Sequence, residues 1–130
     1  MTIDIEFGKI TKFSDVEWDI EKQNDGANPM YTIFPGLPIR SFATFAYYNF
    51  LDRNKEVEKL HNICKPKYPD TNDSELKQID TDFIKLVEKI PFPEGTTDKI
   101  KCDIDRIKWL KFWTKLCYET FGKDAYIRIY

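Results

Sequence analysis

The sequence predicts an α+β fold: an antiparallel sheet of four to five strands, including the C-terminal strand, with about three helices packed on one face. Three observations support this prediction. Apolar and polar residues alternate near the start of the chain, apolar residues recur at helical spacing from Ser41 onward, and alternation returns at the end. With 130 residues the chain is long enough for one hydrophobic core, and we expect a single domain over residues 1–130.

The first strand is predicted from the alternation over residues 2–7, which places the apolar side chains on one face and Asp4 and Glu6 on the other. The dipeptide at residues 8–9, glycine and lysine, suits a turn into a second, shorter strand over residues 10–13. We therefore expect the chain to reverse direction between these two segments.

Another strand is predicted over residues 16–21, where the alternation recurs in a form typical of a half-solvated antiparallel sheet. Its inward positions are Val16, Trp18 and Ile20. Its outward positions are Glu17, Asp19 and Glu21. Turn-forming residues over 22–29 separate this strand from a further candidate strand at residues 30–34, which ends at the two prolines of residues 35–38.

A helical pattern extends over residues 41–64. Six apolar residues fall within one arc of about 80° when successive residues are placed 100° apart. They are Phe42, Ala46, Phe50, Val57, Leu60 and Cys64. Arg53 also falls inside this arc, and Asn54 beside it is a favourable residue to start a helix. We therefore expect a kink, or two helices that meet near residue 53.

The next helix is predicted to begin near Asn72, which forms a capping-box pattern with Glu75, and to end at Pro91 and Pro93. Its apolar stripe consists of Leu76, Ile79, Phe83, Leu86, Val87 and Ile90. The narrowness of this stripe predicts a helix with one buried face.

The last helix is predicted over residues 98–121, between Thr97 as its N-cap and Gly122 after its end. An alternative is a short strand over residues 100–104 followed by a helix from about residue 105. Residues 125–130 alternate like a strand, and we expect them to join the N-terminal sheet. Trp18 and Trp113 occupy the inward phase of their elements, so we expect both to be buried.

The composition argues against export and membrane insertion. The first residues carry carboxylates where a secretory signal needs a basic start and an apolar run, and no window approaches the length of a membrane span. The three cysteines include no CxxC pair and leave one unpaired, which argues against a disulfide framework. We therefore expect a cytoplasmic protein that does not associate with membranes.

No complete catalytic or metal-binding set is found in the sequence. His61 and Cys64 are three residues apart and offer two zinc ligands, but no motif supplies the others. Carboxylate pairs such as Asp103 and Asp105 are expected by chance among 22 acidic residues. The five glycines form no phosphate-binding loop. We therefore expect no metal, no cofactor and no enzymatic activity.

Three predicted surfaces are candidates for binding. The acidic sheet face unites five carboxylates if the two N-terminal strands are neighbours: Asp4, Glu6, Glu17, Asp19 and Glu21. The aromatic helix, over residues 42–51, carries further large side chains off its main stripe: Phe45, Tyr47, Tyr48 and Leu51. Among these, Tyr47 and Tyr48 are the predicted contact residues, since tyrosine is enriched at binding hot spots. On the last helix the lysine face places Phe112 beside four lysines: Lys101, Lys108, Lys111 and Lys115.

The charge distribution favours a protein-binding function. Residues 1–28 contain seven acidic and three basic residues and are net −4, while the whole chain is net −2. We expect a small inhibitor, of the immunity-protein or antitoxin type, that blocks one basic, nuclease-like protein through the acidic sheet face. One alternative is a nucleic-acid-binding or phage accessory protein that uses the lysine face, although the acidic front of the chain argues against it. A second alternative is a small enzyme built from dispersed carboxylates and His61.

Overall fold

A computed structural model describes residues 2–13, 18–22, 40–64 and 75–129. Within these ranges the predicted α+β class is confirmed. The strands are β1 (Thr2–Phe13), β2 (Trp18–Lys22), β3 (Arg40–Ala43), β4 (Glu75–Gln78) and β5 (Ala125–Ile129). The helices are α1 (Thr44–Arg53), α2 (Lys55–Ile63), α3 (Thr81–Glu88) and α4 (Asp98–Phe121), and a 3₁₀ turn over Gly122–Asp124 leads into β5.

The strands form one antiparallel sheet with β1 at its centre. β5 lies on one side of β1, with β4 beyond it. Ile5 pairs with both β5 and β3, and Gly8 pairs with both β5 and β2. β2 and β3 therefore share the other edge of β1. The C-terminal strand joins the N-terminal sheet, as the sequence predicts.

The predicted turn at residues 8–9 is wrong, because β1 runs without reversal from Thr2 to Phe13. Gly8 and Lys9 each pair with a strand on both sides. The backbone hydrogen bonds of a central strand therefore outweigh the local turn preference of a Gly-Lys dipeptide. The irregularity that the strand does contain lies later, between Ile10 and Lys12, where its register with β2 shifts.

The helix predicted from Ser41 begins instead at Thr44, after the short strand β3. Phe42 lies opposite Ile3 in this strand and is buried. The helical pattern did not reveal this strand, because a single buried residue, Phe42, is compatible with the periodicity of a helix and with that of a strand. The predicted meeting of two helices near residue 53 is confirmed, because α1 ends at Arg53 and α2 begins at Lys55, with only Asn54 between them.

The helix predicted from Asn72 also begins later than expected. Residues 75–78 form the strand β4, and α3 starts at Thr81. Asp80 caps it, since one carboxylate oxygen accepts a hydrogen bond from the Phe83 backbone N–H at 2.8 Å. Four residues of the predicted apolar stripe are buried, as expected: Ile79, Phe83, Val87 and Ile90.

The last helix has the predicted bounds, so the alternative strand at residues 100–104 is wrong. Its cap Thr97 accepts a hydrogen bond from the Ile100 backbone N–H at 3.3 Å, and Gly122 follows with a φ of 57°. Trp113 is fully buried, as predicted. The core also contains Trp109, which was not predicted to be buried and whose ring lies 5.4 Å from that of Phe7.

The core lies between the helices and the sheet face that carries Ile5, Phe7, Ile127 and Ile129. Cys117 anchors α4 to this face, because its thiol lies 3.5 Å from the Gly8 carbonyl oxygen.

Some predictions lie outside the described residues. They include the strand at residues 30–34, the position of Glu17 and the side chain of Trp18. In the described ranges, no helix combines the length and the apolar character that crossing a membrane requires.

Candidate functional site

The acidic sheet face does not form as the sequence predicts, because Glu6 is completely buried. Glu6 lies opposite Arg128 in the β1–β5 pair, and its carboxylate accepts hydrogen bonds from the guanidinium, one of them from Nε at 2.9 Å. The expectation that Glu6 faces solvent is therefore wrong. Alternation in β1 predicted which face the side chain occupies, but both faces of a central strand can be covered.

The register of β2 further divides the acidic residues. Glu21 lies opposite Lys9, which is out of phase with Asp4 and Glu6 along β1. Asp19 lies two residues before Glu21 on β2 and shares its phase. The two strands are neighbours as required, but the register pairs Glu21 with Lys9 rather than with Asp4 or Glu6, and the side chains of Asp19 and Glu21 lie outside the described part of the chain. Asp4 itself is half-buried.

The two predicted tyrosines of the aromatic helix have different environments. Tyr47 is only 2% exposed, and its hydroxyl lies 2.9 Å from His61 Nδ1 on α2. The expectation that Tyr47 contacts a partner is therefore corrected, because its ring is part of the core. Tyr48 is 49% exposed, and its ring lies edge-on to those of Tyr47 and His61 at centroid distances of 5.8 and 6.1 Å.

Phe45 is the most exposed large hydrophobic side chain in the described part of the chain, at 79%. Phe45, Tyr48 and Asp52 follow each other at spacings of three and four residues, which places them on one face of α1. Asp52 is also exposed. We call these three residues the α1 surface. Phe45 was predicted to lie off the apolar stripe, but of this helix only Tyr47 and Tyr48 were predicted to contact a partner.

The inner face of α1 is anchored by the buried side chains Tyr47, Phe50 and Leu51. Its C-terminal end is fixed by Asp103 on α4, which is 1% exposed. The Asp103 carboxylate accepts two hydrogen bonds from Arg53, at 2.9 and 3.0 Å. The α1 surface is therefore displayed on a helix with little freedom to move against the core.

Asp103 also accepts hydrogen bonds from Asn54 at 3.2 Å and from Arg106 at 3.1 Å. Burial alone would raise the pKa of Asp103, but the hydrogen bonds from Arg53 and Asn54 and the charges of both arginines lower the pKa below its usual value. An anionic carboxylate surrounded by arginines has no capacity left for a metal ion. The sequence signal for this network was Arg53, the one charged residue inside an apolar arc.

Asn54 occupies the predicted N-cap position of α2, but its side chain makes no capping hydrogen bond. Its amide instead donates to the Phe50 carbonyl at 3.0 Å as well as to Asp103. Asn54 therefore joins the end of α1 to α4 rather than capping α2.

The lysine face of α4 is present, with Lys101, Lys108 and Lys115 exposed and Lys111 half-buried. The Lys111 ammonium lies 3.2 Å from the Glu88 carbonyl oxygen and 4.8 Å from the centre of the Phe92 ring. Phe112 does not point outward as expected. It packs against the core, with its ring edge-on to Trp113 at 5.4 Å, and is not free to stack on a base.

Two further candidates for chemistry, His61 and Cys117, are buried. His61 is 5% exposed, and among the described residues no group of three or more His, Cys, Asp or Glu side chains could hold a metal ion. Burial raises the pKa of the Cys117 thiol to about 12, despite its hydrogen bonds to backbone carbonyls, so it is not a thiolate at neutral pH. Comparison of the chain with protein-family models, curated proteins and solved structures gives no match.

Proposed function

We propose that this chain is a protein-binding protein and that the α1 surface is its contact site. The observation that carries this proposal is the pair Phe45 and Tyr48, which are 79% and 49% exposed on adjacent turns of one helix. Large aromatic side chains contribute strongly to binding when a partner covers them, and they gain little from exposure to water. Because the inner face of α1 is anchored, little conformational entropy is lost when a partner docks.

The chemistry of the α1 surface favours a basic partner. Aromatic faces attract arginine and lysine side chains through cation–π interactions, and Asp52 adds a carboxylate on the same face. The partner surface that fits is one with a projecting arginine or lysine. A basic partner was also expected from the acidic N-terminal segment, but the α1 surface offers a different and better defined contact than the acidic sheet face.

Inhibition of that partner, in the manner of immunity proteins and antitoxins, is part of the same proposal. Its support is the combination of an exposed aromatic contact with the lack, among the described residues, of a His, Cys, Asp or Glu group that could hold a metal ion. A cytoplasmic location belongs to the proposal too, since the three cysteines are free thiols.

The test is binding to a partner isolated from the native host with the full chain as bait. Binding kinetics of the purified pair should then be compared for the parent chain, Phe45→Ala/Tyr48→Ala and Asp52→Lys. The double variant should weaken the affinity at least about a hundredfold, since truncation at a hot spot costs about 2 kcal/mol or more per residue. Asp52→Lys should mainly slow association, and more so at low salt.

Phe92→Ala is the matched control, because Phe92 is an aromatic residue of similar exposure, 45%, outside α1. The control should bind like the parent. The proposal fails if the double variant binds as tightly as the parent, or if the purified partner is acidic. Inhibition is tested separately, by measuring the partner's own activity with and without the chain.

A further inference from the structure

A cleft with a volume of about 240 Å³ lies between α3 and α4, on the lysine side of α4. Six residues line it: Ile84, Val87, Glu88, Lys111, Thr114 and Lys115. None of them belongs to the α1 surface. The cleft therefore needs an explanation separate from the proposed protein contact.

Thr114 is the most informative of the lining residues. It is 1% exposed, and its hydroxyl has no hydrogen-bond partner. A threonine inside a helix can satisfy its hydroxyl on the carbonyl of the preceding turn, as Thr120 does on Leu116 at 2.7 Å. The Thr114 hydroxyl therefore has a donor left for an acceptor that enters the cleft. Such an acceptor would be favoured, because a buried hydroxyl without a partner is destabilising. Threonine in a helix divides between two χ1 rotamers, so the hydroxyl can turn without a change in the backbone.

Two lysine residues line the same cleft. Lys111 and Lys115 are one helical turn apart and so lie on one face of α4. The Lys111 ammonium is held by the Glu88 carbonyl and the Phe92 ring, which fixes its position. An ammonium has three donors, so this arrangement leaves capacity for an anionic oxygen.

We propose that this cleft binds the phosphate group of a small ligand. Lys111, Lys115 and the Thr114 hydroxyl supply donors from three side chains, which suits the several oxygens of a phosphate better than the two of a carboxylate. Ile84 and Val87 form an apolar wall that can cover an organic substituent. Glu88 also lines the cleft, and its negative charge opposes that of the ligand and moderates the affinity.

The test is calorimetric titration of the full chain with inorganic phosphate and with phenyl phosphate, which distinguishes a free ion from a phosphate ester. Phenyl phosphate should bind more tightly. Thr114→Val, which removes the hydroxyl at nearly constant volume, and Lys115→Ala should each weaken binding about tenfold, the usual effect of losing one charge-assisted hydrogen bond. Glu88→Gln should strengthen binding, because it removes the opposing charge.

Lys101→Ala is the matched control, since Lys101 is an exposed lysine of the same face that does not line the cleft. It should leave the affinity unchanged. The proposal is overturned if Lys101→Ala and Lys115→Ala weaken binding equally, if Thr114→Val has no effect, or if Glu88→Gln weakens binding. Binding of a single-stranded oligonucleotide without binding of either small phosphate would also overturn it. Circular dichroism of each variant verifies that a loss of binding is not a loss of folding.

Discussion

Two buried carboxylates in this protein are neutralised in different ways. Glu6 lies on the central strand and pairs with Arg128 on the neighbouring strand, at a position that backbone hydrogen bonds already hold. Asp103 lies on α4 and accepts hydrogen bonds from Arg53, Asn54 and Arg106. The first ion pair adds to an existing contact, whereas the second holds the junction of α1 and α2 against α4. We expect the junction to depend on its carboxylate more than the sheet does.

The largest expected effect is that of Asp103→Asn. An amide of the same shape cannot balance the charges of Arg53 and Arg106, so the free energy of unfolding should fall by about 2 to 4 kcal/mol, somewhat less than the loss of one partner of a fully buried ion pair because the Arg53 side chain is partly exposed to solvent. Urea denaturation followed by tryptophan fluorescence measures this change. Since typical domains have about 5 to 15 kcal/mol of stability, this loss is a large fraction of the total. A loss below about 1 kcal/mol would show that the network is not needed to hold the junction.

Glu6→Gln should have a smaller effect, about 1.5 to 3 kcal/mol, the contribution of hydrogen bonds to a charged group. The backbone pairing of β1 with β5 remains when the charge is lost, and the amide oxygen still accepts from Arg128. The same denaturation experiment measures it. If Glu6→Gln proves more destabilising than Asp103→Asn, the comparison is reversed: the sheet then depends on its buried carboxylate more than the helix junction does.

Acid should remove the contribution of Asp103. Its pKa is lower in the folded state than the usual value of about 3.9, so its ionisation stabilises the fold above that pH, and this stabilisation is lost as the pH falls through the folded-state pKa. The difference in unfolding free energy between the parent and Asp103→Asn should therefore be constant from about pH 5 to 7 and decrease at lower pH. Denaturation at a series of pH values tests this. A difference that grows on acidification would contradict the sign of the shift.

The smallest expected effect on stability is that of Phe45→Ala. Phe45 is 79% exposed, so its loss should change the unfolding free energy by no more than about 0.5 kcal/mol, and the higher helix propensity of alanine favours a slight gain. Thermal denaturation measures this. The same substitution should have a large effect on partner binding, so a clear loss of stability would indicate that the ring is covered within the chain and is not a contact site.

The long helix α4 shows what could be predicted from the sequence. Its N-cap threonine, its terminal glycine and its apolar spacing are all local signals, and they predicted both ends correctly. The junction near Arg53 was predicted for the same reason, since one charged residue interrupted a regular pattern. Asp103 was noted only as one of many carboxylates, because the neighbour Arg106 three residues later is the only local signal and nothing local indicates that Arg53 from another helix reaches it.

The sequence by itself determined the fold class, the C-terminal end of α4, the meeting of α1 and α2, and the burial of Trp113, because periodicity and capping act over a few neighbouring residues. Tertiary structure decided that β1 continues through Gly8, that residues 75–78 form a strand, and that Glu6 and Tyr47 are buried while Phe45 is exposed. These outcomes depend on pairing and packing with segments distant in the chain. The position of a side chain in the periodic pattern of its element indicates which face it occupies. Only the neighbouring elements determine whether that face is exposed to solvent.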